Sequence, residues 1–345
     1  MRKALLATTA LAFSGAMAAG QASAADMLSI GLGGYMEQWV GAADRQDDND
    51  EGGVDIQSDS EIYFQGSMEA DNGLKFTVHV QLEANQDSNK AAQIDESFAR
   101  ISGDFGQIEI GARDPIHART HYGIADVGVG LNSGDTQKWI PGTYLSTNGW
   151  FHDNLNVIYI SPRMNGVQVG LSYGADATSE NSVASAPKDN DNAVVAAGIN
   201  LNQTVGDAGV KISLGHLNRE QAGDLDAKAF TNAGLAVSMG AFGFNAAWAE
   251  MDGGDDTMES DDWTAWGASV SYSDGPMSVS LGHMTHEQDS GGERTATMLS
   301  GSYKLAPGVS WATSVFTVED NTTGVKTDTG DAEGAAFVTG VKIGF

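Results

Sequence analysis

Charged side chains of both signs gather around residues 114–152, the one long stretch of the chain without a sustained period of 2 or 3.6. In the segments before it, ionisable side chains lie on the polar faces of alternating patterns: Lys75, His79, Arg100, Glu109 and Arg113. The stretch itself contains Asp114, Arg119, Asp126 and Asp135. Such groups act on small polar molecules by ordinary electrostatics and hydrogen bonding. Long irregular stretches inside compact domains are usually functional.

Enzymatic chemistry is not indicated by these residues. A lipid hydrolase built on a barrel would need a lipid-facing Ser, a His and an orienting polar group. The His residues are scattered, His79 falls on a polar face, and no G-x-S-x-G motif occurs. We therefore predict that the protein is not an enzyme.

Calcium binding is the second chemistry to weigh, at the acidic run Asp47, Asp48, Asp50 and Glu51. The spacing Asp47-x-Asn49-x-Glu51-Gly52 imitates the start of an EF-hand loop. The twelfth position of that loop is Ser58 rather than Glu, and no helical pattern flanks it, so the EF-hand is rejected. Because Ca²⁺ takes oxygen ligands, calcium at these acids is kept as an alternative. No cofactor is required.

The N-terminus predicts export. Arg2 and Lys3 precede an apolar run with small residues, and Ala22-Ser23-Ala24 is an A-x-A cleavage site. We predict a signal peptide over residues 1–24 and a mature chain that starts at Ala25 or Asp26. The chain has no Cys, so closure of the fold must come from something other than disulfides.

The acidic balance excludes one class of partner. With 46 Asp and Glu against 18 Lys and Arg, the formal net charge is −28. Nucleic-acid phosphates need Lys and Arg, so nucleic acid is not a partner. Plain attraction to anionic lipid is disfavoured as well, although divalent cations could bridge the two.

Outside residues 114–152, the chain reads as short alternating strands. In the clearest one, Leu74, Phe76 and Val78 alternate with Lys75, Thr77 and His79. We predict sixteen strands, near 27–40, 54–69, 74–84, 93–103, 107–113, 153–161, 167–174, 192–202, 208–218, 228–239, 242–250, 261–273, 277–286, 293–304, 308–319 and 334–345. All six Pro residues fall between these strands, as expected since a central strand cannot spare the N–H donor.

The connections alternate between short and long, which indicates the architecture. Short turns would lie at one end of an up-and-down meander and long loops, including 41–53 and 114–152, at the other. This asymmetry is typical of outer-membrane barrels. We therefore predict an all-β fold: a 16-stranded antiparallel transmembrane barrel formed by residues 25–345 as one domain. The alternative is an exported soluble β-rich adhesin or binding protein.

Four stretches resemble the general porins of Gram-negative outer membranes. They are Asp26-Met27-Leu28, DESFARISGDFGQIEIGARDP at 95–115, NVIYISPRMNGVQVGLSYGAD at 156–176 and FVTGVKIGF at 337–345. The resemblance implies a barrel in the outer membrane, usually a homotrimer, that passes small hydrophilic solutes and ions by diffusion. It also implies that the loop after the fifth strand, here 114–152, folds inward and narrows the pore.

The resemblance further implies a constriction with opposed charges. On the wall we assign to it Arg113, Arg100, Lys75, His79 and Glu109, and on the loop Asp114, Asp126, Asp135 and Arg119. The chain departs from the family pattern because the early wall also carries Glu37, Glu61, Glu69 and Glu83, so the signs are not cleanly separated. Aromatic residues Trp139, Tyr144, Trp150 and Phe151 would anchor the loop, and Trp39, Trp248, Trp263, Trp266 and Trp311 fit an aromatic girdle.

The function that follows is a passive porin, weakly cation-selective because of its acidic balance. A substrate-specific porin is the narrower alternative. Expected partners are outer-membrane lipid and lipopolysaccharide, the permeating solutes and ions, two further copies of the chain, and a barrel-insertion machinery that recognises the terminal strand ending at Phe345.

Overall fold

A computed structural model describes the protein over residues 28–46, 52–84, 94–131, 135–142, 145–149, 154–175, 192–220, 227–253, 262–289, 291–321 and 333–345. The predicted signal peptide and the acids proposed for calcium, Asp47, Asp48, Asp50 and Glu51, lie outside these residues. In the described part of the chain, no helix is long and apolar enough to cross a membrane.

Sixteen antiparallel strands within the described residues close into one barrel, so the predicted fold class is confirmed. They are β1 Ile30–Gln46, β2 Gly52–Glu69, β3 Lys75–Glu83, β4 Ile94–Gly103, β5 Gly106–Ala112, β6 Leu155–Ile160, β7 Val167–Gly174, β8 Val194–Val205, β9 Ala208–Arg219, β10 Lys228–Met239, β11 Phe242–Asp252, β12 Trp263–Asp274, β13 Met277–Gln288, β14 Glu293–Ala306, β15 Val309–Asp320 and β16 Glu333–Gly344. Each strand pairs with its sequence neighbours, and β1 pairs with β16 to complete the ring.

The first strand of the barrel is hydrogen-bonded to the last described residue, Phe345. The amide of Gly34 donates to the carbonyl oxygen of Phe345 at 2.9 Å, and the amide of Phe345 donates back to Gly34 at 3.1 Å. Full closure removes both free sheet edges. In a chain without cysteines, this hydrogen-bonded seam closes the fold without a covalent link.

The first long connection is shorter than predicted. We expected residues 41–53 to be a loop, but β1 runs to Gln46 and β2 begins at Gly52. Ala42 pairs with Val54 and Ala43 with Gly53, so the hairpin ladder continues into the stretch that carries little apolar alternation. Backbone pairing, which needs no particular side chain, extends the strands where the sequence pattern stops.

Alternate side chains point to opposite faces of the barrel wall. In β14 and β15 the side chains of Leu299 and Val315 are about half exposed, whereas those of Met298 and Ser314 are fully buried. The exposed set is apolar and forms the outer surface, as expected for a wall that meets lipid. The buried set faces the lumen, where the long loop lies against it.

Residues 114–152, called the inward loop below, are not wholly irregular. A short helix, α1, covers Ile116–Arg119, and a 3-10 helix covers Asp135–Lys138.

Two aromatic predictions need correction: Trp39 and Trp263 do not belong to an outer girdle. Trp39 is buried on the lumen side, and Trp263 contacts the rings of Phe230 and His286 there. Trp248, Trp266 and Trp311 are exposed on the outer face.

Candidate functional site: the inward loop and the open wall

The inward loop is hydrogen-bonded to the barrel strand by strand. Serine and asparagine side chains of β7, β8, β9, β10, β11, β12, β13 and β15 bond to its backbone. The pairs are Ser172 with Ile116 N, Asn200 with Thr120 O, Ser213 with Tyr122 N, Asn232 with Thr147 O, Asn245 with Gly123 O, Ser269 with Ala125 N, Ser280 with Val127 N and Ser314 with Val129 N. The loop therefore follows the lumen side of β7–β15, which we call the covered wall.

Glycines in the covered wall let the loop come close. They are Gly170 in β7, Gly198 in β8, Gly215 in β9, Gly234 in β10, Gly267 in β12 and Gly282 in β13. At Gly234 an added Cβ would overlap the carbonyl oxygen of Tyr122, and at Gly215 it would lie 2.9 Å from His117 Cβ. The missing side chains thus make the space in which the loop backbone lies.

Apolar side chains fill the remaining space between loop and covered wall. Ile116 of α1 packs with Leu217 and Phe230, all three fully buried. Further along, Ile124, Val129, Leu131, Ile140 and Leu145 of the loop pack with Met284, Met298, Phe316, Val318 and Val338 of the strands. Burying side chains of this size stabilises the docked loop by about 1.5–3 kcal/mol each as an upper estimate.

Asp126 holds the turn of the loop rather than presenting a bare charge. Its Oδ2 accepts hydrogen bonds from the amides of Gly128 and Gly130 at 3.1 and 2.8 Å. Its Oδ1 accepts a hydrogen bond from Ser280 Oγ of β13 at 3.0 Å. One carboxylate thereby fixes the local path of the loop and ties it to the covered wall.

A buried ion pair holds the later part of the loop. Arg294 of β14 donates to Asp320 of β15 at 2.8 Å, and neither side chain is more than 4% exposed. The same guanidinium donates to the carbonyl oxygens of Ile140 at 2.8 Å and Pro141 at 3.3 Å. This pair was not predicted from the sequence. Its signal is an Arg and an Asp on the lumen faces of neighbouring strands, next to the apolar residues Ala296, Met298, Phe316 and Val318.

His121 is a partly buried titratable group of the loop. Its Nε2 lies 3.1 Å from Thr147 Oγ1, which joins the early and late parts of the loop. Burial lowers the pKa of His121 to about 4. The ring is therefore neutral at neutral pH.

The loop crosses the lumen to β1 and β2 at Lys138 and Trp139. Lys138 Nζ lies 3.2 Å from Asp59 of β2 and 3.0 Å from Asp135 of the loop. Burial alone would lower the pKa of Lys138, but the two carboxylates outweigh it and hold that pKa above its ordinary value. Trp139 packs over Gly41 of β1, where an added Cβ would lie 2.6 Å from its ring.

At its start the loop meets β5. Arg119 of α1 pairs with both carboxylate oxygens of Glu109, whose side chain is only 1% exposed. Arg100 Nε lies 2.7 Å from the same carboxylate, and Arg113 Nε lies 3.4 Å from it. Arg113 also approaches Glu96 at 3.4 Å. Burial, and next the charge of Arg119, lower the pKa of the Arg113 guanidinium below its ordinary value.

Between these two crossings lies the open wall, the lumen side of β1–β5. Its central side chains Tyr63, His79 and Gln81 are half-buried and face the lumen. Tyr35 and Tyr63 donate hydrogen bonds to Asp59 and Glu61 at 3.2 and 2.6 Å. The open wall thus carries carboxylates at β1–β2 and guanidinium groups at β4–β5, with aromatic rings between them.

The structure brings together most, but not all, of the residues predicted for the constriction. Arg100, Arg113, Glu109 and Arg119 form one ion-paired cluster, and Asp135 pairs with Lys138 at the other crossing. His79 lies between Gln65 and Gln81 on the open wall. Asp114 is half-buried directly after Arg113. Lys75 is exposed at the first residue of β3, beside the short turn and away from both crossings.

Three carboxylates missed as a group lie farther along the open wall. Oxygens of Glu61, Glu83 and Asp95, on β2, β3 and β4, lie within 4.8 Å of one another. Gln81 donates a hydrogen bond to Asp95 at 2.8 Å, and Tyr63 donates one to Glu61. Two of the three carboxylates are therefore stabilised by a neighbouring side chain. These three carboxylates add to the negative charge of the open wall.

Comparison with known proteins gives the family. The sequence of residues 7–323 matches the family described as Gram-negative porin, so the chain belongs to that family. No curated protein matches the chain in sequence. The chain is therefore a porin of the Gram-negative outer membrane, and the predicted family and location are confirmed.

Solved structures show the same fold at low sequence identity. An anion-selective porin from Comamonas acidovorans superposes with a TM-score of 0.64 at 16% identity, covering 92% of this chain and 100% of that one. The trimer form of OmpT from Vibrio cholerae gives 0.62 at 14%, covering 93% and 100%. A mutant of the Rh. blastica porin gives 0.60 at 16%, covering 92% and 100%. All three share the barrel architecture of this chain.

Proposed function

We propose that the protein is a passive diffusion channel, not an enzyme, whose narrowest section lies between the inward loop and the open wall. The observation that carries this is the path of the loop. It is bonded along the covered wall and crosses the lumen at Lys138 and Arg119. A loop held in this way reduces the free cross-section to the space in front of β1–β5.

Weak cation selectivity is part of the proposal. Support comes from the acidic balance of the chain, with a formal net charge of −28, and from the carboxylates along the open wall. Like-signed charges that line a water-filled passage raise the local concentration of counter-ions. The arginine cluster opposes this effect, but Glu109 and Glu96 compensate much of its charge.

A homotrimer in the outer membrane is the assembly we propose, in contact with lipid and lipopolysaccharide. OmpT from Vibrio cholerae has a trimer form and superposes on this chain along its length. The exposed apolar outer faces of the strands suit contact with lipid and with other barrels. We further propose that the apolar terminal strand ending at Phe345 is the signal for barrel insertion.

The test is conductance and ion selectivity of the purified protein in planar bilayers. We expect ohmic channels and a reversal potential in a salt gradient that indicates cation preference. Replacing residues 120–149 by a short linker should raise the single-channel conductance. Absence of channels would overturn the porin proposal, chloride preference would overturn the selectivity, and unchanged conductance in the shortened variant would overturn the role of the loop.

A further inference from the structure

Four aromatic rings form a continuous row across the open wall. The ring centroids of Tyr35 and Tyr63 lie 6.4 Å apart, those of Tyr63 and His79 lie 5.6 Å apart, and those of His79 and Phe98 lie 5.0 Å apart. These separations are within the range of favourable ring–ring contacts. One ring comes from each of β1, β2, β3 and β4, so the row runs around the lumen.

Guanidinium groups stand at one end of this row. The Cζ of Arg113 lies 4.1 Å from the centre of the Phe98 ring, and that of Arg100 lies 5.4 Å from it. The two closest Arg113–carboxylate distances, to Glu109 and Glu96, are both 3.4 Å. Charge-assisted hydrogen bonds are normally about 2.7–2.9 Å. The buried Nε of Arg113 has no hydrogen-bond partner among the described residues.

The arginine cluster can therefore accept a further anion. Three guanidinium groups share their ion pairs with two carboxylates, those of Glu109 and Glu96. Arg100 hydrogen-bonds to Glu109 through its Nε, and its side chain is 26% exposed, so part of this side chain remains open to the lumen. A planar guanidinium binds carboxylates well because its N–H donors match the two oxygens in spacing.

Packing alone does not account for the row. Where the inward loop covers the lumen wall, the strands carry Gly, Ser, Asn and apolar residues, and the aromatic side chains there, such as Phe230 and Phe316, are fully buried beneath the loop. On the open wall, Tyr63 and His79 remain half-buried and face the lumen, where no described loop residue packs over them in a hydrophobic cluster. Aromatic faces left beside water offer a surface on which a flat solute can stack.

We propose that the open wall recognises aromatic carboxylates, with the ring of the solute against Tyr63 and His79 and its carboxylate at Arg100 and Arg113. The inference rests on the proposed pore, since the solute must reach this wall through the lumen. It names a preferred solute class for that pore. Neither half of the site is sufficient to select this class of solute. The aromatic row provides a surface for stacking, and the arginines fix the orientation of the carboxylate.

The experiment measures block of single-channel current by three small solutes at constant ionic strength. Benzoate has both features, cyclohexanecarboxylate has the charge without the aromatic ring, and benzyl alcohol has the ring without the charge. We expect the half-blocking concentration of benzoate to be about tenfold lower than that of either other solute, because ring contacts and cation–π contacts act together.

Variants separate the two parts of the site. His79→Gln should raise the half-blocking concentration of benzoate about fivefold by removing a ring, whereas His79→Phe should keep it. Arg113→Gln should weaken benzoate and leave benzyl alcohol unchanged. His216→Gln is the matched control, because His216 lies on the outer face of β9 and bonds to Thr231 there.

Two outcomes overturn the inference while the porin proposal stands. One is equal block by benzoate and cyclohexanecarboxylate through an ohmic channel. The other is an unchanged half-blocking concentration for benzoate in both His79→Gln and Arg113→Gln. Absence of any ohmic channel would overturn the porin proposal and this inference with it.

Discussion

Arg294 and Asp320 form a fully buried ion pair across β14 and β15, with 2.8 Å between Nη1 and Oδ2. The pair does not stand alone, because the same guanidinium binds two carbonyl oxygens of the inward loop, those of Ile140 and Pro141. A charge pair in the barrel wall thus holds a loop that lies inside the barrel. The position of the loop depends on keeping both charges.

Replacing Arg294 alone should release the late part of the loop. In Arg294→Met the Asp320 carboxylate loses its partner in a buried position, at a cost of about 3–5 kcal/mol. Amide hydrogen exchange in residues 135–142 should become faster, and the open-channel current noisier. The double variant Arg294→Met with Asp320→Leu buries no charge and should recover part of the lost thermal stability. Equal stability of the single and double variants would contradict this role of the pair.

A single added methyl group under the loop should disturb it. Gly234→Ala places a Cβ against the carbonyl oxygen of Tyr122, in a strand position whose backbone accepts alanine. We expect the loop to move toward the open wall, a lower single-channel conductance and a stability loss of about 1–3 kcal/mol. Gly301→Ala is the control, since an added Cβ there meets nothing within 4 Å. Identical conductance of the two variants would argue against the close approach.

Removing the shared carboxylate should shift selectivity toward anions. In Glu109→Gln the guanidinium groups of Arg100, Arg113 and Arg119 lose their common charge partner. The reversal potential in a salt gradient should move toward that of chloride, by about a twofold change in the permeability ratio. Glu287→Gln makes the same change in net charge at an exposed position of β13 and should leave the ratio unchanged. A shift of equal size in both variants would point to net charge alone.

Acid should loosen the loop through His121. Its pKa is about 4 in the docked loop against an ordinary value of 6.5, so the undocked loop binds the proton more readily. The docked loop loses stability as pH falls from about 6.5 to about 4, by roughly 3 kcal/mol in total. Current noise should therefore rise over this window, and His121→Gln should remove that rise while His216→Gln keeps it. The same acid response in His121→Gln would assign it to other groups.

Strand positions could be predicted from the sequence because each strand of a closed barrel carries its own signal. Period-2 alternation, as in Leu74 to His79, needs no knowledge of the partner strand. Turn residues confirm the register locally: Gly240 has a φ of 58° in the tight turn between β10 and β11. The ends of β1 and β2 were missed because backbone pairing there continues without an apolar pattern.

The inward course of residues 114–152 had a further sequence signal that the pattern analysis did not use. A Ser or Asn stands two residues from a Gly on the lumen face of successive strands: Gly170 and Ser172, Gly198 and Asn200, Ser213 and Gly215, Asn232 and Gly234, Gly267 and Ser269, Ser280 and Gly282. The Gly gives space and the Ser or Asn gives a hydrogen bond. Lumen-facing Met284, Met298 and Phe316 add a second signal, since water would not favour them.

Only part of the charge pairing could be predicted from the sequence. Glu109 was expected on the constriction wall, but its three arginine partners come from β4, from the residue after β5 and from α1. Arg100 stands directly opposite Glu109 in the β4–β5 hairpin, whereas the contact between Arg119 and Glu109 depends on the path of the loop. Asp126 shows the same limit, because its oxygens bind loop amides that no spacing rule identifies.

The hydrogen bonds of the covered wall also set an order of assembly. The partners of the inward loop extend from Ser172, 56 residues after Ile116, to Ser314, 185 residues after Val129. Contacts of such high sequence separation form late, since the intervening chain must first be ordered. Val338 of β16 also packs with the loop, so the contacts of the loop are complete only when the last strand is in place. We therefore predict that the barrel forms before the loop is fully docked, so that the pore narrows in the last step of folding.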